Sequence, residues 1–415
     1  MRARGRIRLA WCAAAVAGAI ASAAPVLART QAARPPAPAP PPAAAPAASA
    51  PTPPAPTPVE AAAATPTVPT PTPPASDPAF AAWLAALRGD AVAAGIRPVT
   101  IDAAFATIVA QPVVLERDRT QAEFTLTLGQ YVDRRLTPAL LRLAREHATR
   151  ERSLLVRVER AHKVPKSILL SVWGLESNFG RFAGVRPTVP VLATLAYDGR
   201  RAALFRGELL NALRILDRGD IELDRLKGSW AGAMGQPQFL PSSYLKYAQD
   251  FDGDGRRDIW TSLPDVLASI ANYMASNGWV NGESWGRRVR LPPDFDARLG
   301  ARAPLRTEGC RAVRQLTEPM LLSDWRAVGV RTAKGAVLPK AAIAASLLRV
   351  DQETFLVYRN YETLLTYNCA HSYAIAVGLL ADRLDGRLES WPAAKKAARP
   401  AKHRATSGSS HRRSR

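Results

Sequence analysis

Seventeen of the 35 prolines in this 415-residue chain stand between Pro35 and Pro74, and a stretch of that density cannot be built into a helix bundle or a sheet. Each proline fixes its own φ and lacks an amide donor, and the residues between them are mainly Ala and Thr. The segment reads as a stiff, extended spacer that divides the chain. Residues 1–28 lie before it, with the basic start MRARGRIR, a long Ala-rich apolar run and small residues suited to cleavage, the layout of a secretory signal. An uncleaved anchor is the alternative, so membrane association is expected only if the signal stays. Residues 29–76 are the Pro/Ala-rich linker, 77–392 are expected to fold, and 393–415 form a basic tail without apolar periodicity. The folding part, 316 residues long, is large enough for a sizeable core.

The formal charge of +21 is concentrated at the ends. Four positive charges belong to Arg2, Arg4, Arg6 and Arg8, and eight lie beyond residue 393, which leaves +8 for residues 77–392. That balance suits an acidic polymer or an ordinary soluble surface equally, and alone it names no partner.

From Phe80 onward apolar residues recur three or four apart in seven segments, among them FAAWLAALRGDAVAAG, YVDRRLTPALLRLAREH, SILLSVWGLE and SYAIAVGLLADRL. Strand-like alternation is confined to short pieces near Val289 and Glu353, so a mainly α fold with a small β element is predicted. No CxxC, HExxH, GxGxxG or GxxxxGK pattern occurs, which leaves zinc, nucleotide and phosphate-loop chemistry without support. One GxSxG match, GESWG at 282–286, follows a helical pattern rather than a strand, which is the wrong setting for a nucleophile at Ser284.

The most informative helix lies within VPKSILLSVWGLESNFGRFAG, residues 164–184, bracketed by Pro165 and Gly180 and about 13 residues long. Glu176 falls four residues after Val172 and seven after Leu169, on the apolar stripe rather than the wet face. Burial and the negative end of the helix both disfavour a carboxylate, so a proton is expected to stay available there, as a general acid requires. A structural pairing with Arg181 is the alternative. A second segment, SWAGAMGQPQFLPSSY at 229–244, combines small residues with neutral hydrogen-bonding groups (Ser229, Gln236, Gln238) and flat rings (Trp230, Phe239, Tyr244), a mixture that suits sugars and also suits a tight helix contact.

Together, GLESNFG at 174–180 and GAMGQPQFLPSSY at 232–244 resemble the lytic murein transglycosylase B family, and the resemblance runs from about Asp77 to Leu388. It implies a lysozyme-like α+β catalytic domain with a helical extension. It also implies cleavage of the β-1,4 bond between N-acetylmuramic acid and N-acetylglucosamine in peptidoglycan, with closure of a 1,6-anhydro ring. The catalytic acid falls on Glu176. Substrate-contacting positions fall on Ser229, Gln238, Tyr273, Tyr367, Asn368, Tyr373 and Tyr131. Neither motif offers a second acid, which fits attack by the muramyl C6 hydroxyl instead of water. Glycan strands are the implied partner and the periplasm the implied compartment; no nucleic-acid partner is expected, and a monomer is. A hydrolysing muramidase and a non-enzymatic wall-binding protein remain the competing classes.

Asp250, Asp252, Asp254 and Asp258 occupy positions 1, 3, 5 and 9 of an EF-hand-like loop, with Gly255 at the turn and the Arg256 carbonyl at position 7. Hard oxygens at that spacing point to a structural calcium ion, and a metal-free acidic turn is the alternative. Position 12 is Thr261 rather than Glu; in the family resembled here a later acid closes the loop, and Asp265 falls there. Cys310 and Cys369 are either a disulfide or two buried thiols.

Overall fold

The computed structural model describes residues 78–106, 108–119 and 126–387, all within one compact unit. The signal, linker and basic-tail expectations fall on residues outside these. The described chain is mainly helical and builds three apolar cores.

The first core is assembled from the helices Leu128–Arg135, Pro138–Arg150, Arg152–His162, Lys166–Ser177, Leu263–Ser276, Arg359–Tyr367 and His371–Leu384. The second joins the helices Pro78–Ala93 and Pro98–Phe105 to Thr188–Tyr197, Ala202–Asp217 and Pro241–Tyr247. The third lies on the outer side of a small sheet, around the fully buried Trp325.

The predicted helices are present, with one instructive break. YVDRRLTPALLRLAREH reads as one periodic segment, yet the chain stops at Arg135 and restarts at Pro138. Proline disfavours helical backbone in the residue before it, and Thr137 is accordingly extended (ψ 155°), where its hydroxyl accepts the Leu140 amide as an N-cap.

The sheet is larger than predicted. Five antiparallel strands run in the order Met320–Leu321, Ala344–Val350, Glu353–Val357, Gly286–Arg290, Arg331–Thr332. The strand Ala344–Val350 escapes sequence reading because it does not alternate. Leu348, Phe355 and Val357 face the first core while Leu347 and Leu356 face the third, so the central strands are apolar on both sides.

The groove residues collect where the first two cores meet. Tyr131 and Tyr373 belong to the first, Tyr273 to the second, and Tyr367 packs against both.

Candidate active site

The helix Lys166–Ser177 is buried along nearly its whole length, with Leu169 and Val172 fully enclosed and Glu176 half-buried in its last turn. Pro165 starts it. It ends three residues before Gly180, because Asn178, Phe179 and Gly180 in turn adopt left-handed backbone (φ 49°, 59° and 82°). That reversal folds Phe179 back against the helix, stacked on His147 with ring centroids 4.7 Å apart and edge-on to Trp173 at 5.1 Å. Gly174 makes room for it, since a Cβ there would lie 2.7 Å from the Phe179 ring. Arg135 donates to the Leu175 carbonyl, placing positive charge on the otherwise negative helix end.

Gln236 links this helix to the second motif. Its Oε1 accepts the Trp173 indole N–H at 2.7 Å and its Nε2 donates to the Trp260 carbonyl at 2.9 Å. Gly180 is required beside it, because a Cβ would come within 2.5 Å of Oε1 in addition to the strain of its positive φ. Gln236 is thus a structural clip, not a free sugar-binding amide. Two of the three flat surfaces expected from the sequence are also spent: Phe239 and Tyr244 are buried, and the Tyr244 hydroxyl donates to the Arg257 carbonyl. Trp230 alone stays partly exposed. The glycines of the motif serve close backbone packing, with Met234 and Phe239 exchanging two hydrogen bonds across a tight turn.

Ser229 and Gln238 are on this loop, half-buried. The Ser229 hydroxyl accepts from the Ala231 and Ala233 amides (3.3 and 3.2 Å), which leaves its proton to donate. Gln238 has left-handed backbone (φ 55°), and its Nε2 donates to the carbonyls of Ala183 and Gly235, turning its carbonyl oxygen toward other uses.

The tyrosines form a connected aromatic wall. Tyr273 and Tyr367 meet at 4.6 Å, Phe239 touches both, and Tyr367 lies parallel to Tyr373 at 6.4 Å. Tyr273 donates to the Thr366 carbonyl and Tyr367 to the Pro237 carbonyl, each at 2.6 Å, so both phenols are fixed with only acceptor capacity left. The hydroxyls of Tyr367 and Tyr373 are enclosed, and burial, then the charge of Glu176, holds both well above the usual tyrosine range. Tyr373 also feels Tyr131 and is drawn toward the Glu176 carboxylate as a donor, though short of full hydrogen-bond geometry. Glu176, Tyr131, Tyr367 and Tyr373 are therefore one electrostatic group. Asn368 is half-buried at the end of the helix Arg359–Tyr367, next to this group. Cys369 follows it and is joined to Cys310, with Cα atoms 6.4 Å apart; both cysteines are exposed rather than buried.

On its other side Glu176 lines a cleft of about 480 Å³ shared with Arg134, Arg135, Arg142, Glu146 and Arg181. Arg181, the partner considered for a purely structural carboxylate, lines the same cleft as Glu176. These arginines come from the end of the helix Leu128–Arg135, from within the helix Pro138–Arg150 and from the loop after Lys166–Ser177, and no spacing in the sequence marks them. Ser284 precedes the strand Gly286–Arg290 instead of following one, and its hydroxyl donates to the Gly286 carbonyl.

In the acidic loop the carboxylates of Asp250, Asp252 and Asp254 lie exposed within 4.8 Å of one another. Asp250 accepts the Gly253 and Gly255 amides, and Asp254 accepts that of Arg256. Asp265 is not part of that trio. It is fully buried, and its two oxygens accept the amides of Phe251 (2.7 Å) and Asp258 (2.9 Å), bracing both ends of the loop. Burial, then the charge of Asp252, raises its pKa despite those amides. Three hard carboxylates brought this close fit a divalent cation with oxygen ligands.

Residues 79–382 match the family model described as Transglycosylase SLT domain. The chain belongs to this family. Within it, the chain is 34% identical over 238 residues to membrane-bound lytic murein transglycosylase B of Escherichia coli (strain K12), a match covering 54% of this chain and 58% of that protein, less than two thirds of its length. Among solved structures, it is similar to SltB3 from Pseudomonas aeruginosa in complex with NAG-anhNAM-pentapeptide, at 40% identity and a TM-score of 0.68, covering 75% of this chain and 82% of that one. It is also similar to the Escherichia coli lytic transglycosylase Slt35 in complex with calcium, at 27% identity and a TM-score of 0.61, covering 73% and 93%. The family membership accounts for the two motifs and for the helical surroundings that hold them.

Proposed function

We propose that this protein is a peptidoglycan lytic transglycosylase, cutting the β-1,4 bond between N-acetylmuramic acid and N-acetylglucosamine. The observation that carries the reading is the setting of Glu176: half-buried at the end of a rigid apolar helix, and faced by the neutral groups of Tyr131, Tyr367 and Tyr373. The Glu176 carboxyl gives its proton to the glycosidic oxygen as the C1–O bond breaks, and the leaving sugar departs as an alcohol. The resulting carboxylate takes the proton of the muramyl C6 hydroxyl, whose oxygen bonds to C1 and closes the anhydro ring. The acid is regenerated and no water is consumed. The tyrosine wall, Ser229, Gln238 and Asn368 position the glycan. A relative in complex with NAG-anhNAM-pentapeptide supports the same outcome here.

Glu146 favours a second reading, because it lines the same cleft as Glu176 and would be the residue to activate water in a hydrolase. One experiment separates the two. Purified peptidoglycan treated with the wild type is expected to release anhydro-muropeptides, with Glu176→Gln inactive and Glu146→Gln giving unchanged products. Products one water heavier, lost in Glu146→Gln, would establish hydrolysis; wall binding without any cleavage would leave a non-enzymatic role.

The acidic loop holds calcium through Asp250, Asp252, Asp254 and the Arg256 carbonyl, with Asp265 as the inner brace. The ion supplies loop rigidity and no step of the reaction. The periplasm is the compartment that a cell-wall polymer as substrate calls for.

A further inference from the structure

We infer that the arginine-lined cleft beside Glu176 binds the carboxylates of the peptide stem carried by the glycan, and so makes the enzyme selective for stem-bearing strands. The inference rests on the reading above and adds the determinant of substrate class. Four guanidinium groups (Arg134, Arg135, Arg142 and Arg181) line this one cleft, against two acids, Glu146 and Glu176. Arg135 is engaged with the Leu175 carbonyl. Arg134, Arg142 and Arg181 are exposed and make no ion pair among the described residues, although Asp and Glu partners hold arginines elsewhere on this surface. Like charges gathered without partners repel one another, and a bound anion removes that cost.

One neighbouring helix start has the same sign, and the negative end of the helix Lys166–Ser177, which also lines the cleft, is answered by Arg135. The cleft includes Thr137 and Ala139 at the start of the helix Pro138–Arg150, whose first turn holds no acidic residue, so the positive end of that helix dipole points at the same space. Phe182, 71% exposed, adds an apolar surface at the rim. A volume of about 480 Å³ is within the range of small-ligand sites. The glycan itself supplies no negative charge beyond its stems, whereas each peptide stem ends in a carboxylate; the ligands of the related SltB3 carry a pentapeptide. Guanidinium pairs bidentately with carboxylate, which gives the cleft direction as well as attraction.

The test compares the wild type with the Arg142→Gln/Arg181→Gln double variant on glycan strands that keep their pentapeptide stems and on strands stripped by an amidase. The double variant is expected to lose about tenfold or more in kcat/KM on stem-bearing strands and less than about threefold on stripped ones. Equal losses on both substrates, or a wild type that does not distinguish them, would overturn the inference. Binding decides it independently of turnover. NAG-NAM-pentapeptide should bind the wild type about tenfold more tightly than the same compound with its carboxylates amidated, and equal affinities would overturn it. Tight, carboxylate-dependent binding without cleavage of either strand would remove the catalytic reading and leave the anion site standing.

Discussion

The indole N–H of Trp173 donates to Oε1 of Gln236 at 2.7 Å, and through this bond the helix that carries Glu176 is fastened to the loop that carries Ser229 and Gln238. The two motifs, more than fifty residues apart in the chain, are one object in space. The site's geometry depends on that bond as much as on the groups that face the substrate.

Replacing Gln236 with Leu leaves the Trp173 N–H and the Trp260 carbonyl without partners while keeping the volume. The expected cost is about 2–4 kcal/mol of stability, together with a fall in kcat as the Ser229 loop loses its register to Glu176. Urea unfolding and turnover of the same preparation check both parts. Unchanged stability would show that neither bond matters.

Calcium is expected to stabilise the fold by about 2.7 kcal/mol at a free concentration one hundred times its dissociation constant. Melting curves with calcium and with chelator should therefore differ, and Asp254→Ala should abolish the difference, since it removes one of three carboxylates held within 4.8 Å. Identical melting in both conditions would argue against a bound ion.

The Cys310–Cys369 bond closes a loop of sequence separation 59 and fixes the chain directly beside Asn368 and Tyr367. Loop-closure entropy assigns it about 4 kcal/mol. Reduction should add the mass of two hydrogens, lower the melting temperature and weaken turnover; Cys310→Ser/Cys369→Ser should reproduce the last two effects without further response to reductant.

His371 gives the fold a dependence on acid. Burial, only partly offset by the Ala312 carbonyl, lowers its pKa to about 4, and its Nδ1 lies 2.9 Å from the Tyr361 hydroxyl. The unfolded chain accepts a proton near 6.5 that the folded one refuses, so this group's contribution is full above pH 6.5 and declines as pH falls toward 4. The total loss is up to about 3 kcal/mol. Denaturant midpoints measured between pH 7 and 4 should fall less steeply in His371→Gln; an identical slope would show that His371 is not the group responsible.

The amino-acid pattern by itself determined the helical class, the helix bearing Glu176 and the acidic loop spacing, because helix periodicity and ligand spacing are local along the chain; the pairing of the two motifs came from the family resemblance. It could not reveal that Ala344–Val350 is a strand, since a sheet buried between two cores carries no alternation. Apart from the family resemblance, which falls on Gln238, residue type and spacing could not separate Gln236 from Gln238: both are amides in one loop, and only the approach of Trp173 makes the first a clip while the second keeps its carbonyl end open. The arginine cleft was equally invisible, because Arg134, Arg142 and Arg181 reach one space only after Pro138 turns the chain and Asn178 reverses it. Tertiary contacts decided these points, for burial on two faces and convergence of charge are properties of packing between distant segments.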